Sequence, residues 1–375
     1  MVLLLAVGAG WLARRLGLPA VLGYLGAGLV VSPFTPGYVA DRNQLQVLAD
    51  VGVVLLLFEV GIEVNPLRLG REHKAVLWAA PAQVIITTLA SGGIAYLLGV
   101  TLAGSALIGL SVALSSSVVV VNITRSRRRT TNPATEAALL SWSVMQDMTG
   151  VAFALVLLAG FGLADRPPAE AAAFIVAFLV LVAGAAWLLP RVLHRLHTEH
   201  DLFLLLSVGS GLALAGIGAR FFGVPLALAA FVAGLAVGES PAAAEARRRI
   251  LPFRDLFAAL FFVSLGSLID PSAMPGALPW LAFLLGAVAI AKLIPVLLLS
   301  RLARIPDVRP WQMAIGLGQI GEFSFVLASI VLGRALIPPA LYSAVLAAVV
   351  ATIVVSTTLV KLGHRPVPVQ AATPG

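Results

Sequence analysis

The sequence predicts an all-α polytopic membrane protein with about 13 transmembrane helices. Of its 375 residues, 60% are hydrophobic and only 11% are charged, whereas charged residues make up about 25% of a typical soluble domain. Apolar segments able to cross a hydrocarbon core of about 30 Å follow one another along the chain. The basic residues lie between these segments and strongly prefer alternate connections. Together these observations exclude a soluble globular protein.

Thirteen apolar spans can be distinguished along the chain. They are residues 2–13, 19–34, 45–65, 75–99, 101–124, 135–160, 170–193, 201–219, 224–239, 252–269, 277–300, 311–333 and 339–361. The first span is short, which indicates either an incomplete span or a trimmed N-terminus. No cleavable signal peptide is evident, because the first apolar run leads directly into the second.

The basic residues predict the orientation of these spans. Twenty of the 25 lysines and arginines lie in the connections after odd-numbered spans or at the span ends next to them, the segment after the thirteenth span included. Four lie after even-numbered spans, and Lys292 lies inside span 11. Because cytoplasmic loops are enriched in Lys and Arg, we expect an external N-terminus and a cytoplasmic C-terminus in a bacterial inner membrane. The net charge of +8 is therefore a signal of topology, and no nucleic-acid partner is expected.

Two polar stretches indicate an internal repeat with interrupted helices. Span 5 contains GLSVALSSSVVVVN (109–122), and span 12 contains GLGQIGEFSFVLAS (316–329). If spans 1–6 and 8–13 are equivalent, the two halves have opposite orientations, as in many secondary transporters. Glycine lets the backbone leave a helix, and hydroxyl or amide groups satisfy the freed backbone. The residues predicted to unwind these crossing helices are Ser115, Ser116, Ser117, Gly318, Gln319 and Gly321. Close packing between helices is the alternative.

Three ionisable residues lie near the midpoints of spans. Asp147, in the stretch SVMQDMTGV of span 6, shares this depth with Lys292 in span 11 and Glu322 in span 12. Each costs at least about 2.5–3.5 kcal/mol to insert, so such residues usually pair or line an aqueous path. One alternative is an Asp147–Lys292 salt bridge that only joins two helices. Buried ion pairs stabilise poorly, because desolvation often exceeds the Coulombic gain, and this favours an ion-binding function for Asp147.

The remaining ionisable groups have simpler interpretations. Five acidic residues lie at span ends, within reach of the interface: Asp50, Glu63, Glu239, Asp255 and Asp270. Five histidines lie in cytoplasmic connections, where solvated side chains are favoured over sensors of internal pH: His73, His194, His197, His200 and His364. Glu59 lies one turn inside Glu63 on the same face, and it either lines an inner vestibule or reaches the headgroups.

The sequence provides no basis for an enzymatic function. It has no cysteine, which excludes disulfides, iron–sulfur clusters and thiolate metal sites. It also has no phosphate-binding loop, zinc-ligand spacing, nucleophile elbow or dinucleotide fingerprint. We therefore expect neither catalysis nor a cofactor.

Four stretches, in order along nearly the whole chain, resemble one known family. They are LGYLGAGLVVSP (22–33), ALSSSVVVV (113–121), the Gln-Asp pair of SVMQDMTGV (143–151) and GQIGEFSFVL (318–327). The segment 236–266 is also similar to the family pattern. The chain thus resembles the membrane domain of bacterial Kef-type cation:proton antiporters, within the sodium/proton exchanger superfamily. This resemblance implies an inverted-repeat fold with a mobile core bundle and a dimerisation scaffold.

The resemblance also implies roles for particular residues. Asp147 matches the aspartate that binds the ion and the proton, and Lys292 matches a basic residue that faces this site. Relatives that move two protons per cation have two adjacent aspartates, whereas this chain has Gln146 in the first place. This favours electroneutral exchange of potassium or sodium, with Gln146 as a further ligand of the transported cation. Glu322 is expected to balance charge at the ends of half-helices.

The domain and partner predictions follow from the same resemblance. Residues 1–363 are predicted to form the transmembrane domain, and residues 364–375 a short disordered cytoplasmic tail. Kef-type proteins usually carry a C-terminal nucleotide-binding domain, and none is expected in this chain. The expected partners are protons, potassium or sodium ions, the lipid bilayer and a second copy of the chain; a separate regulatory subunit is left open.

Two other functions compete with exchange. One is a cation channel, or channel-like potassium efflux pathway, without obligatory proton coupling. A channel needs a continuous polar path, and the sequence shows one isolated cluster at the midplane instead. The other is a membrane sensor that transports nothing, and the lack of an output domain argues against it.

Overall fold

A computed structural model describes residues 1–34 except 17 and 19, 42–63, 74–120 except 118, 131–163, 166–195, 199–238, 243–269 except 268, and 274–362. Every regular element in this part of the chain is helical. The helices are α1 Val2–Arg15, α2 Ala20–Val30, α3 Arg42–Glu63, α4 Val76–Leu97, α5 Leu102–Ala113, α6 Pro133–Gly160, α7 Pro168–Arg195, α8 His200–Phe222, α9 Leu226–Gly238, α10 Ala243–Ser267, α11 Met274–Ala287, α12 Leu293–Leu302, α13 Pro310–Gly316, α14 Phe323–Gly333 and α15 Pro339–Leu362. A π-helical turn, Val288–Lys292, joins α11 to α12.

The helices confirm the prediction of an all-α polytopic membrane protein. Each predicted span coincides with one helix, or with two helical segments separated by a break. Within the described ranges, seven helices are long and apolar enough to cross a membrane. The predicted tail 364–375, the acidic residues Glu239 and Asp270 and the side chains of all five histidines lie outside the described residues.

Local sequence signals explain several helix ends. Asn132 caps α6, where its side chain accepts a hydrogen bond from the backbone N–H of Thr135 at 2.9 Å, and Pro133 follows in the first turn. Thr101 caps α5 in the same way. Helix α8 ends at Gly223, whose φ of 69° is the left-handed conformation that favours glycine.

The outward faces of the helices are apolar. On α7, Leu179, Val180 and Trp187 are all exposed on the surface of the monomer. A soluble protein would expose a large apolar area of this kind only at an interface. In a bilayer these side chains contact lipid tails, which is consistent with the multi-pass membrane prediction.

The helices pack as two groups. In one group, α3 lies against α9 and α10, α2 lies against α1 and α10, and α8 lies against α9. In the other, α4, α5 and α6 pack together and meet α12, α13 and α14, while α15 lies against α11, α13 and α14. Helix α7 contacts α6, α8 and α9. This division corresponds to the predicted scaffold and core.

Glycine contacts show the repeat within the scaffold. A Cβ atom on Gly28 of α2 would lie 2.1 Å from the carbonyl oxygen of Val263, and 2.8 Å from the Cα of Gly266 on α10. In the second half, a Cβ atom on Gly234 of α9 would lie 2.2 Å from the carbonyl oxygen of Phe58, and 2.8 Å from the Cα of Gly61 on α3. In the predicted repeat, span 2 is equivalent to span 9, and span 3 to span 10. The contact between α2 and α10 therefore corresponds to the contact between α9 and α3, as an inverted repeat requires.

Helix α10 differs from the predicted span. It begins at Ala243, whereas the apolar pattern predicted a start at residue 252. Glu245 forms ion pairs with Arg248 at 2.6 Å and Arg249 at 2.5 Å, at i+3 and i+4 spacing that supports a helix. The helix therefore extends through the basic segment, and hydropathy alone did not detect this extension.

Candidate ion-binding site

The site is centred on two interrupted helices that cross. Helix α5 ends at Ala113, and the chain is helical again from Ser117. Helix α13 ends at Gly316, and α14 begins at Phe323. The two breaks are hydrogen-bonded to each other, since the N–H of Gly321 donates to the carbonyl of Leu114 at 3.0 Å. The predicted discontinuity of both helices is confirmed.

Small residues allow this close crossing. A Cβ atom on Gly321 would lie 2.4 Å from the carbonyl oxygen of Ser115, so only glycine fits without a shift of the backbone. The hydroxyl of Ser115 donates to the carbonyl of Leu317 at 2.8 Å. The side chain of Gln319 donates to the carbonyl of Ser116 at 3.4 Å. Hydroxyl and amide groups thus satisfy the backbone that unwinding frees, as the sequence predicted.

Lys292 ties the two breaks together. It ends the π-helical turn, and its side chain is fully buried. The ammonium donates to the carbonyl of Leu114 at 2.9 Å and to that of Gln319 at 2.6 Å. Within the described residues no ion pair joins it to Asp147, whose carboxylate oxygens accept no hydrogen bond. The simple Asp147–Lys292 salt bridge is therefore not formed.

Asp147 lies in the middle of α6 and is 1% exposed. Neither of its carboxylate oxygens has a hydrogen-bond partner in the part of the chain that the structure describes. Buried polar groups are nearly always hydrogen-bonded, because an unsatisfied one is costly. A bound proton or cation would supply the interaction that this carboxylate lacks.

Gln146 is the second polar group of α6 at this depth. Its amide nitrogen donates to the side-chain oxygen of Gln83 on α4, and to the carbonyl of Ala113 at 3.4 Å. Its own amide oxygen is buried and without a partner among the described residues. Gln146 therefore carries a second buried oxygen without a partner, one residue before Asp147 in the sequence.

Sequence reasoning missed the contribution of α4. Gln83, Thr87, Thr88 and Ser91 are all buried, and they form a polar stripe along a helix that is otherwise apolar. Their spacing of four, five and eight residues from Gln83 is the signal that indicates one helical face. The stripe carries no charge, and neutral polar residues in a membrane helix are a weaker sequence signal of a site than a charged residue is.

Glu322 lies at the N-terminal end of the half-helix α14. It is largely buried, and it accepts a hydrogen bond from the hydroxyl of Ser117 at 3.1 Å. Ser117 itself begins the helical segment after the break in α5. A negative charge is favourable at a helix N-terminus, because the macrodipole is positive there. This position agrees with the predicted charge-balancing role.

Glu59 is part of a buried ion-pair cluster between α3 and α10. Its carboxylate pairs with Arg247 at 2.5 Å and with Arg254 at 2.8 Å. Arg247 also pairs with Glu63 at 2.9 Å. Glu59 is 1% exposed, which contradicts the interpretation that it reaches the headgroups. Span-end residues Glu63 and Asp255 are partly exposed, as expected, and both contact these arginines.

A buried carboxylate without a hydrogen-bond partner among the described residues, next to two broken helices that cross within an inverted repeat, is an arrangement typical of a secondary active membrane transporter. Comparison with known proteins gives the family. Residues 2–362 match the family described as sodium/hydrogen exchanger, transmembrane, and the chain belongs to it. The resemblance to the sodium/proton exchanger superfamily is therefore confirmed, and cation:proton exchange is the function that these matches support.

Two individual proteins illustrate the similarity. YbaL of Escherichia coli (strain K12), provisionally named a cation/proton antiporter, is 30% identical over 373 residues, which are 96% of this chain and 67% of that protein. The structure of the sodium proton antiporter MjNhaP1 from Methanocaldococcus jannaschii at pH 8 has a TM-score of 0.74 and 20% sequence identity. It covers 96% of this chain, and 95% of that chain is matched. The second match shows a shared fold.

Proposed function

We propose that this protein exchanges one monovalent cation, potassium or sodium, for one proton by alternating access, with Asp147 as the shared binding site. The observation that supports this proposal is the burial of a carboxylate with two oxygens that accept no hydrogen bond from any described residue. Such a group costs free energy in a membrane unless it binds a proton or a cation. The site is thus suited to hold one or the other.

The hydrogen bonds around the crossing indicate which oxygens are open to a cation. The carbonyls of Leu114 and Gln319 already accept from Lys292, and the carbonyl of Ala113 accepts from two side-chain amides. Five residues of α4 and α6 have buried side-chain oxygens without a hydrogen-bond partner among the described residues: Thr88, Ser91, Ser143, Gln146 and Asp147. A hydroxyl can also donate, whereas carboxylate and amide oxygens only accept. Asp147 and Gln146 are therefore the proposed ligands of the dehydrated cation.

Charge couples the two fluxes in this mechanism. Asp147 is neutralised when it binds either a proton or a monovalent cation, and the neutral site can pass the hydrophobic barrier as the core moves against the scaffold. The empty carboxylate keeps its charge, and moving a charge through hydrocarbon is expensive. Lys292 offsets part of this charge and stabilises the empty site between loadings, but it does not neutralise the carboxylate as a bound ion does, and Glu322 remains at the end of the half-helix. One titratable ligand then gives electroneutral, one-for-one exchange.

The orientation of the protein in the membrane and its assembly are also part of the proposal. The positive-inside distribution of Lys and Arg supports an external N-terminus and a cytoplasmic C-terminus in a bacterial inner membrane. The resemblance to the family supports a homodimer formed through the scaffold. No structural observation favours a channel over this mechanism.

The test is a transport assay in proteoliposomes that contain a pH-sensitive dye. Adding lithium, sodium, potassium or rubidium should dequench the dye with wild-type protein, and the rates give the cation preference. Because a proton and a cation compete for one carboxylate, the apparent KM for the cation should rise as the pH falls. Repeating the assay with an imposed voltage gives the stoichiometry, and electroneutral exchange should be indifferent to voltage.

The decisive variant is Asp147→Asn, which keeps the size of the side chain and removes its charge. It should abolish cation-dependent dequenching, while Asp201→Asn, which changes an exposed aspartate at the start of α8, should transport normally. Both variants are checked for folding by size-exclusion chromatography. Normal exchange by a folded Asp147→Asn protein would show that the proposal is wrong.

A further inference from the structure

The break in α5 leaves a backbone carbonyl for side chains to use. In a continuous helix, the carbonyl of Ala113 would accept from the N–H four residues later. Instead the backbone becomes extended at Leu114, with φ −83° and ψ 139°. Two side-chain amides occupy this acceptor: that of Gln83 at 3.3 Å and that of Gln146 at 3.4 Å.

This carbonyl, together with the hydrogen bond between the two glutamines, sets the orientation of both amides. A carbonyl oxygen only accepts, so the atom that each glutamine turns toward Ala113 must be its NH2 group. The second N–H of Gln146 then donates to the amide oxygen of Gln83. The second N–H of Gln83 donates to the hydroxyl of Thr87 at 3.0 Å. A reversed amide at either residue would place two acceptors against each other.

The consequence is a defined environment for the oxygen of Gln146. Both N–H groups of its amide are used, one by Ala113 and one by Gln83. Its oxygen is left as an acceptor, buried and without a donor among the described residues. The carboxylate of the next residue, Asp147, is in the same condition. Two consecutive residues of α6 thus carry buried oxygens that accept no hydrogen bond from the described residues.

We infer that Gln83 is a positioning residue for cation binding: it holds the Gln146 amide so that the amide oxygen, and not the NH2 group, is available to the cation. The inference rests on the proposed function, in which Gln146 is a ligand. Without Gln83, the Gln146 amide keeps only its long bond to Ala113, and the terminal torsion of a glutamine side chain is soft. An NH2 group turned toward the site would repel a cation.

Loss of this hydrogen bond should therefore weaken cation binding and leave the movement of the loaded site unchanged. Gln83→Met, which has similar length and no amide, should raise the apparent KM for the cation about three- to tenfold, as expected for the loss of one neutral hydrogen bond. The maximal rate should stay within about twofold, because the interaction orients a ligand and does not touch the proton-binding carboxylate.

A double-mutant cycle in proteoliposomes separates positioning from support of the fold. If Gln83 acts through Gln146, the double variant Gln83→Met/Gln146→Met should have the same KM as Gln146→Met alone. Ser105→Ala is the matched control, since Ser105 is buried near the start of α5, away from the break, where its hydroxyl donates to the carbonyl of Val100 at 3.3 Å. This control should keep the wild-type KM.

Each other outcome overturns the inference. Effects on KM that multiply in the double variant would assign Gln83 to general support of the bundle, and an unchanged KM in Gln83→Met would show that it has no role. An unchanged KM in Gln146→Met would show that Gln146 is not a ligand of the cation. Failure of the proposed function would appear separately, as normal exchange by the folded Asp147→Asn protein. If Gln83→Met does not fold, Thr87→Val is used instead, because it removes one hydrogen bond of Gln83 and keeps the Gln83 side chain. Thr87→Val should raise the KM for the cation in the wild-type background and leave it unchanged in the Gln146→Met background.

Discussion

Replacing Glu59 with glutamine removes one negative charge from the contact between α3 and α10 and leaves the shape of the side chain almost unchanged. In the wild-type protein this carboxylate accepts from Arg247 at 2.5 Å and from Arg254 at 2.8 Å. Hydrogen bonds to charged groups contribute about 1.5–3 kcal/mol each. Glutamine keeps one acceptor and turns an NH2 group toward a guanidinium, so one bond is lost and the other is weakened.

The exposure of the arginines limits the effect. Their side chains are 30% and 21% exposed, so water can solvate part of the charge that the substitution strands. They also keep second partners, Glu63 and Asp255. We therefore expect Glu59→Gln to lower the free energy of unfolding by about 2–4 kcal/mol, somewhat less than the 3–5 kcal/mol typical of a fully buried pair.

Asp255→Asn provides a matched control for this prediction. Asp255 pairs with the same arginine, Arg254, at 2.5 Å, but its side chain is 66% exposed. Exposed pairs contribute about 0–1 kcal/mol, because water and salt screen them. The two variants thus make the same chemical change on the same partner at different depths.

The assay is thermal unfolding of the detergent-solubilised protein, followed by intrinsic tryptophan fluorescence. Glu59→Gln should lower the midpoint clearly more than Asp255→Asn does. Adding Arg254→Met to Glu59→Gln should restore part of the loss, since it removes one of the stranded charges. Equal shifts in the two single variants would refute the assignment of Glu59 as a stabilising buried ion.

Two further predictions concern the transport site. Gln146→Asp creates the pair of aspartates found in relatives that move two protons, so an imposed voltage should change the exchange rate of this variant. Gln146→Asn is the control, and its exchange rate should not depend on voltage. A voltage-independent rate in Gln146→Asp would contradict the proposed basis of the stoichiometry. Gly321→Ala places a Cβ atom 2.4 Å from the carbonyl oxygen of Ser115, and overpacking of about 1–3 kcal/mol should lower both the unfolding midpoint and the transport rate. The control is Gly286→Ala, where no heavy atom outside its own helix lies within 4 Å of the added carbon, and equal losses in both variants would contradict the role of the crossing.

The sequence predicted the centre of the site because hydrocarbon makes polar groups conspicuous. Asp147, Lys292 and Glu322 each interrupt an apolar span, and the cost of inserting a charge makes such residues functional candidates. The Ser115–Ser117 run and the glycines near Gly321 indicated broken helices for a related reason, since few other residues satisfy unwound backbone in a membrane. Both breaks are present in the structure.

The features that could not be predicted from the sequence depend on contacts between distant segments. Glu59 and Arg247 are separated by 188 positions, and the helix that carries Arg247 extends beyond the apolar pattern. The π-helical turn Val288–Lys292 cannot be recognised from its sequence, VAIAK. The orientation of Gln146 depends on the carbonyl of Ala113, which becomes an acceptor for side chains only because α5 breaks there. No pattern along one segment could have predicted these features.

In the proposed mechanism, the position of Lys292 allows one carboxylate to bind two different ligands in turn. A direct bond between Lys292 and Asp147 would have to break in every cycle, and separating a buried ion pair costs about 3–5 kcal/mol. In the structure the ammonium instead donates to the carbonyls of Leu114 and Gln319, and no ion pair joins it to Asp147 among the described residues. Coulomb energy falls slowly with distance, whereas a hydrogen bond occupies a lone pair. The lysine can therefore reduce the cost of the empty site while the oxygens of Asp147 stay open.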